Sequence, residues 1–192
     1  MKASELNANA YPSFPEFKKY GIPLEHIDAH YLVTAQTIRN KYCIPMTPSP
    51  ATGGFVRFDG SVLSRHYAVN RLSDAGDWFP KKGSCLELFE YLLTEPAIGG
   101  LGLYADTHLV SKDEPHPLIH FDLRPLKDGK KVLWVRDEGK YYYLDTNPRA
   151  YQLVKLKVTA MEHGMSFHEG KELGSTWAGA WAKAINMIQE KK

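Results

Sequence analysis

The sequence predicts an α+β domain with a central antiparallel sheet and helices packed on one face. Three observations carry this. Residues 118–124, Leu-Ile-His-Phe-Asp-Leu-Arg, alternate strictly, with Ile119, Phe121 and Leu123 on one side and His120, Asp122 and Arg124 on the other, which is the pattern of a half-buried strand. Residues 24–42 instead place Leu24, Ile27, Tyr31, Ala35, Ile38 and Tyr42 at helical spacing. Between and after these segments stand tight-turn signals, Asp59-Gly60 and Asp137-Glu138-Gly139, flanked by apolar residues.

The elements follow in order. Residues 1–22 contain Pro12 and Pro15, with Pro23 at the edge, and few apolar repeats; they read as an arm on the surface. The helix of 24–42 runs into a short apolar piece, 43–46, ended by Thr47-Pro48-Ser49-Pro50. Residues 55–58 and 61–64 read as a hairpin about Asp59-Gly60, and residues 66–82 as irregular and polar. Ser84 opens a second helix, with Glu87 three residues on as a capping box and Cys85, Leu88, Phe89 and Leu92 as its apolar stripe, and Pro96 ends it. Gly99-Gly100-Leu101-Gly102 reads as a tight turn leading to the His120 strand. Residues 132–135 and 141–144 form a second hairpin. Tyr151, Val154, Val158 and Met161, and further on Trp177, Trp181, Ile185 and Ile188, recur at helical spacing.

The totals narrow the function. A chain of 192 residues, 43% hydrophobic and 24% charged, can bury a core of its own. A formal net charge of +2 argues for neither nucleic acid nor a membrane surface as partner. No apolar run approaches the roughly 20 residues of a membrane span, and residues 1–13 lack an apolar secretory core. With only Cys43 and Cys85, neither a disulfide framework nor a cysteine-ligated zinc site is expected. Cys43, among apolar neighbours, reads as a buried structural thiol.

The chemistry concentrates in His66, an aspartate that follows it, and His120. A catalytic zinc takes three protein ligands and keeps a further position open, and histidine and aspartate are fitting donors. His26 and His30, at i and i+4, lack the glutamate that a zinc-peptidase helix carries after its first histidine. Gly99-Gly100-Leu101-Gly102 lacks the Lys-Ser/Thr pair of a phosphate loop.

Ser64-Arg65-His66-Tyr67, then Ala75-Gly76-Asp77-Trp78, then Gly100-Leu101-Gly102-Leu103-Tyr104, then Ile119-His120-Phe121-Asp122 resemble, in this order, the zinc D-Ala-D-Ala carboxypeptidases and L,D-peptidases of the M15 group, whose fold is shared with the Hedgehog signalling domain. The resemblance spans roughly residues 24–144. It implies a Hedgehog/DD-peptidase-like fold, Zn2+ as cofactor, and His66, Asp77 and His120 as metal ligands. Asp74 is a rival to Asp77, because its distance from His66 is closer to the usual one. The resemblance places the general base a few residues before the second histidine. Pro117, three before, cannot serve, so Glu114, His116 and, two residues after, Asp122 are the candidates; Asp122 could instead orient an imidazole. Arg57 sits where an arginine would receive a substrate carboxylate.

The implied division is an N-terminal arm (1–22), a metallopeptidase-like domain (23–146) and a C-terminal helical extension packed on the same domain (147–192). The implied function is hydrolysis of a peptide bond involving a D-amino acid in peptidoglycan stem peptides. The alternative is a binding or structural module that keeps the fold without the metal chemistry, which the long gap from His66 to Asp77 and the proline at 117 favour. The expected partner is the peptidoglycan peptide, with no nucleic acid and no membrane span. Without a signal peptide the chain is expected to be cytoplasmic at synthesis, reaching the wall through a phage lysis system or on a virion.

Overall fold

The alternation of residues 118–124 becomes the central strand of a six-stranded sheet. In a computed structural model, which describes residues 1–6, 15–43, 45–50, 53–108 and 115–164, the strands are β1 (Met46–Pro48), β2 (Ala75–Pro80), β3 (Gly100–His108), β4 (Pro115–Asp122), β5 (Val132–Asp137) and β6 (Lys140–Tyr143), and the helices are α1 (Pro15–Lys19), α2 (Ala29–Tyr42), α3 (Cys85–Leu93) and α4 (Pro148–Glu162). The sheet order is β1-β2-β4-β3-β5-β6. The class is α+β as expected, but the sheet is mixed rather than antiparallel, because β3 and β5 run parallel while every other neighbouring pair is antiparallel.

One face of the sheet is sealed by helices. Trp78, Leu101, Leu103, Ile119, Phe121 and Val135 form one cluster with Tyr31 and Ile38 of α2, Leu88 and Phe89 of α3, and Val154 and Val158 of α4. Trp78 and Phe121 stack across β2 and β4. The Trp78 Nε1 donates to the Tyr31 hydroxyl at 2.7 Å, so the indole nitrogen is satisfied inside an apolar layer. Phe17 of α1 is buried in the same core, edge-on to Phe55 and Trp78.

The helix expected over 24–42 is shortened. Residues Leu24–His26 form a single 3-10 turn. Ile27 then extends and bridges to Ser73, and the Asp28 side chain caps the restart by accepting from the His30 amide at 2.8 Å. Helix α2 ends at Cys43 in the left-handed conformation, φ 53°. That leaves the Cys43 thiol exposed, not buried as the sequence suggested. Ser84 caps α3 by accepting from the Glu87 amide. Its hydroxyl, with the Cys85 and Leu86 amides, is in turn held by Glu162 at the end of α4.

Two expectations change. The Asp59-Gly60 turn is present, with Gly60 at φ +81°, but its flanks form no ladder. Arg57 pairs instead with Tyr67 in an isolated parallel bridge. The segment read as irregular contains β2, whose first five residues are all buried; a strand covered on both faces shows no alternation to read. The helical spacing of Trp177 to Ile188 lies outside the described residues.

Candidate metal centre

Register brings the first two candidates together. β2 and β4 pair Asp77 with His120 and Trp78 with Ile119, so Asp77 and His120 project side by side from the face opposite the helices. The third arrives by loop. The Arg57 amide donates to the His66 carbonyl and the Ala68 amide to the Arg57 carbonyl, both at 2.8 Å. Ser64 Oγ accepts from the His66 amide at 3.3 Å. These bonds fix the backbone on both sides of His66, and its ring lies over the His120 ring at a centroid distance of 4.8 Å.

The three donor atoms converge. His66 Nε2 is 3.0 Å from His120 Nδ1, His120 Nδ1 is 2.8 Å from Asp77 Oδ1, and His66 Nε2 is 3.6 Å from Asp77 Oδ1. A tetrahedral ion with ligands at about 2.0–2.1 Å holds them roughly 3.3–3.4 Å apart. The observed separations bracket that value, and all three residues are buried. The donor set therefore fits a divalent metal ion, and among the described residues it is the one group of this kind.

The neighbours complete the pattern. The other ring nitrogen of His120, Nε2, lies 3.1 Å from Asp122 Oδ2, the carboxylate–imidazole–metal arrangement that fixes a ligand's tautomer and orientation. Asp122 is itself fully engaged: Arg124 donates through its amide and Nε to Oδ1 and through Nη2 to Oδ2. Gly100, opposite Asp122 in β3, makes room for this pair, since a Cβ there would meet the carboxylate oxygens at 2.5 Å and Arg124 Nε at 2.6 Å. Gly102, opposite His120, does the same for Trp134, whose ring a Cβ would meet at 2.5 Å. The expected tight turn is thus a strand. Its glycines lie on the site face, where side chains from neighbouring strands lean over them.

Electrostatics divide the two imidazoles. Burial holds the His66 imidazolium down to about 4, against the pull of Asp77 and with the His120 and Arg57 charges adding to the depression. Burial also opposes charge on His120, but its hydrogen bonds to the Asp122 and Asp77 carboxylates outweigh it and raise the group to about 9. Asp77, though burial opposes its charge, is held below the usual carboxylate range by His66 and His120, and Asp122 likewise by His120 and Arg124. A metal ion at His120 Nδ1 requires that nitrogen free of its proton, so binding releases one. His66 Nδ1 is buried without a hydrogen-bond partner.

Above the donors lies a cleft of about 370 Å³, floored by His66 and His120 and walled by Arg57, Arg124, Trp134 and Tyr143 among others. The Arg57 Nε donates to the Gly53 carbonyl at 2.8 Å. Among the described residues, no carboxylate stands within ion-pair distance of Arg57. Asp74, the rival ligand, is held in a two-pronged pair by Arg65 and does not share the donor group. His116 is on β4 four residues before His120, about 13 Å along an extended strand, beyond hydrogen-bond reach of the three donors. Glu114 lies outside the described residues. The sequence reading missed Trp134, Tyr104, Tyr141 and Tyr143 as site residues. Trp134, Tyr141 and Tyr143 stand at every second position of β5 and β6, and Tyr104 two residues beyond Gly102 in β3, so that strand parity was their signal.

The chain matches no protein-family model, no curated protein and no solved structure. Among the described residues, no helix is long and apolar enough to cross a membrane.

Proposed function

We propose that the chain is a zinc-dependent peptidase with a fold of the Hedgehog/DD-peptidase type, hydrolysing a peptide bond involving a D-amino acid in peptidoglycan stem peptides. The observation that carries this is the meeting of His66 Nε2, Asp77 Oδ1 and His120 Nδ1 within 3.6 Å of one another. Three protein donors of this type would suit a catalytic zinc ion, which would supply a Lewis acid and acidify a water.

The residues divide the work. His66, Asp77 and His120 would hold the ion. Asp122 orients His120 and cannot also accept the reaction's proton, since both its oxygens are taken by Arg124 and His120. With His116 out of reach, Glu114 remains, of the three candidates, for proton transfer. Arg57, at the cleft wall with a planar fork and, among the described residues, no acidic partner, suits a substrate carboxylate.

One observation favours the second reading, a metal-binding module without catalysis. The described cleft wall presents arginine, tyrosine and serine but no carboxylate. A single set of measurements separates the two. The purified chain is expected to carry about one zinc per molecule and to release amino acid or peptide from peptidoglycan fragments. His66→Ala should lose both, and Glu114→Gln should keep the ion and lose at least about a hundredfold in turnover. A wild-type chain that binds zinc and turns over no fragment would establish the module instead. Full activity in His66→Ala would overturn both readings.

A further inference from the structure

The face that carries the metal donors continues beyond them as a strip of aromatic side chains. Register draws one row straight across five strands: Asp77 faces His120, His120 faces Gly102, Gly102 faces Trp134, and Trp134 faces Tyr143. A second row sets Tyr104 beside Arg136 and Arg136 beside Tyr141. None of these residues belongs to the helix-covered core cluster. Trp134 lies against His120 with ring centroids 4.9 Å apart, and its far side meets Tyr143 at 6.3 Å. The strip is stiffened by cations: the Arg124 guanidinium sits over Trp134 at 5.2 Å, and Arg136 over both Tyr104 and Tyr141.

Burial falls along the row. Trp134 is buried, whereas Tyr141 and Tyr143 remain 52% and 49% exposed on the edge strand. Two exposed tyrosines, two residues apart on one strand, are continuous with the cleft over the donors and so lie where a ligand entering it would meet them. Their rings offer flat apolar faces, and their hydroxyls offer hydrogen-bonding edges. Those are the two requirements of a pyranose ring, which has an apolar C–H face and a rim of hydroxyls.

The spacing selects the occupant. From His120 to Tyr143 is three strand steps, about 14 Å at roughly 4.8 Å each. That is the reach of about four extended residues at roughly 3.3–3.6 Å per residue. We infer that Tyr143 and Tyr141, backed by the buried Trp134, form a saccharide subsite, which holds the sugar of a glycan-linked peptide while a bond about four residues away lies over the metal donors. The inference rests on the peptidase reading for the peptide. The sugar contact itself stands or falls separately.

The test uses the full chain and the tetramer of N-acetylglucosamine as probe, with binding followed by NMR of the aromatic side chains. Saturable binding is expected. Tyr143→Ala should weaken it at least tenfold, and Tyr143→Phe, which keeps the ring, by less than threefold. No binding by the wild-type chain, or equal binding by Tyr143→Ala, overturns the subsite. In parallel, the preference for a glycan-linked peptide over the same peptide without sugar, taken as the ratio of kcat/KM values, should fall at least tenfold in Tyr143→Ala. Saccharide binding without any peptide turnover would support the subsite and remove the peptidase reading. Peptide turnover without saccharide binding would do the reverse.

Discussion

The two faces of the sheet are built from the same strands and solve opposite problems. On the helix side, β4 contributes Ile119 and Phe121, packed with Trp78, Leu101 and Val135 under three helices. On the other side, the same strand contributes His120 and Asp122, buried as deeply as the core residues. No helix of the core cluster covers them; Arg124, Trp134 and the loop carrying His66 do. The core face tolerates burial because it is apolar. The site face tolerates it because nearly every polar atom is paired. Among the buried polar atoms left without a partner is His66 Nδ1, which belongs to a proposed ligand.

This contrast can be tested from either side. On the core face, Phe121→Ala removes a fully buried ring and is expected to cost about 3–5 kcal/mol, measured by denaturant unfolding, while the metal-donor positions stay chemically intact. A cost under 1 kcal/mol would mean that the helix-covered face is loosely packed. On the site face, Asp122→Asn should weaken zinc binding by about 10–100-fold, read by competition with a chelator. Unchanged affinity would show that His120 is oriented by something other than the carboxylate at its Nε2. Gly102→Ala probes the boundary between the cleft and the aromatic strip. Its Cβ would press on Trp134, with an expected destabilisation of about 1–3 kcal/mol and a shifted tryptophan emission. A silent substitution would mean that the indole does not lie over β3.

The smallest expected effect separates the two cysteines. Cys85 is buried at the start of α3, with burial and the Glu162 charge pushing its thiol well above the ordinary range. Cys43 is exposed. At pH 8 a thiol reagent should label one site per native chain, and two only after unfolding. Two rapid labels in the native chain would place the N-terminus of α3 in solvent.

What the sequence disclosed depended on how each residue is covered. The β4 alternation was legible because its two faces differ in polarity. The Ser84 cap was legible because a hydroxyl before an apolar stripe has a local cause, confirmed by the bond from the Glu87 amide. β2 was not legible, since burial on both sides erases the period and Gly76, Asp77 and Pro80 each argue against a strand. The glycines of β3 looked like a turn because their reason is non-local: the Asp122–Arg124 pair and the Trp134 ring come from other strands. The parallel neighbours β3 and β5 were hidden for the same cause, as pairing across an intervening strand leaves no mark in either segment. Between Asp74 and Asp77, spacing along the chain favoured one and motif the other. The Arg65 pair with Asp74 and the His120 partner of Asp77 separate them in space.

The last residue of α4 reaches back to the first turn of α3. The Glu162 carboxylate takes the Ser84 hydroxyl and the Cys85 and Leu86 amides, so it sits where that helix's positive end points. Trimming this polypeptide short of position 162 would remove that carboxylate. A cut one turn sooner would unclip a helix some eighty residues upstream, directly behind the strands that present the histidine and its aspartates.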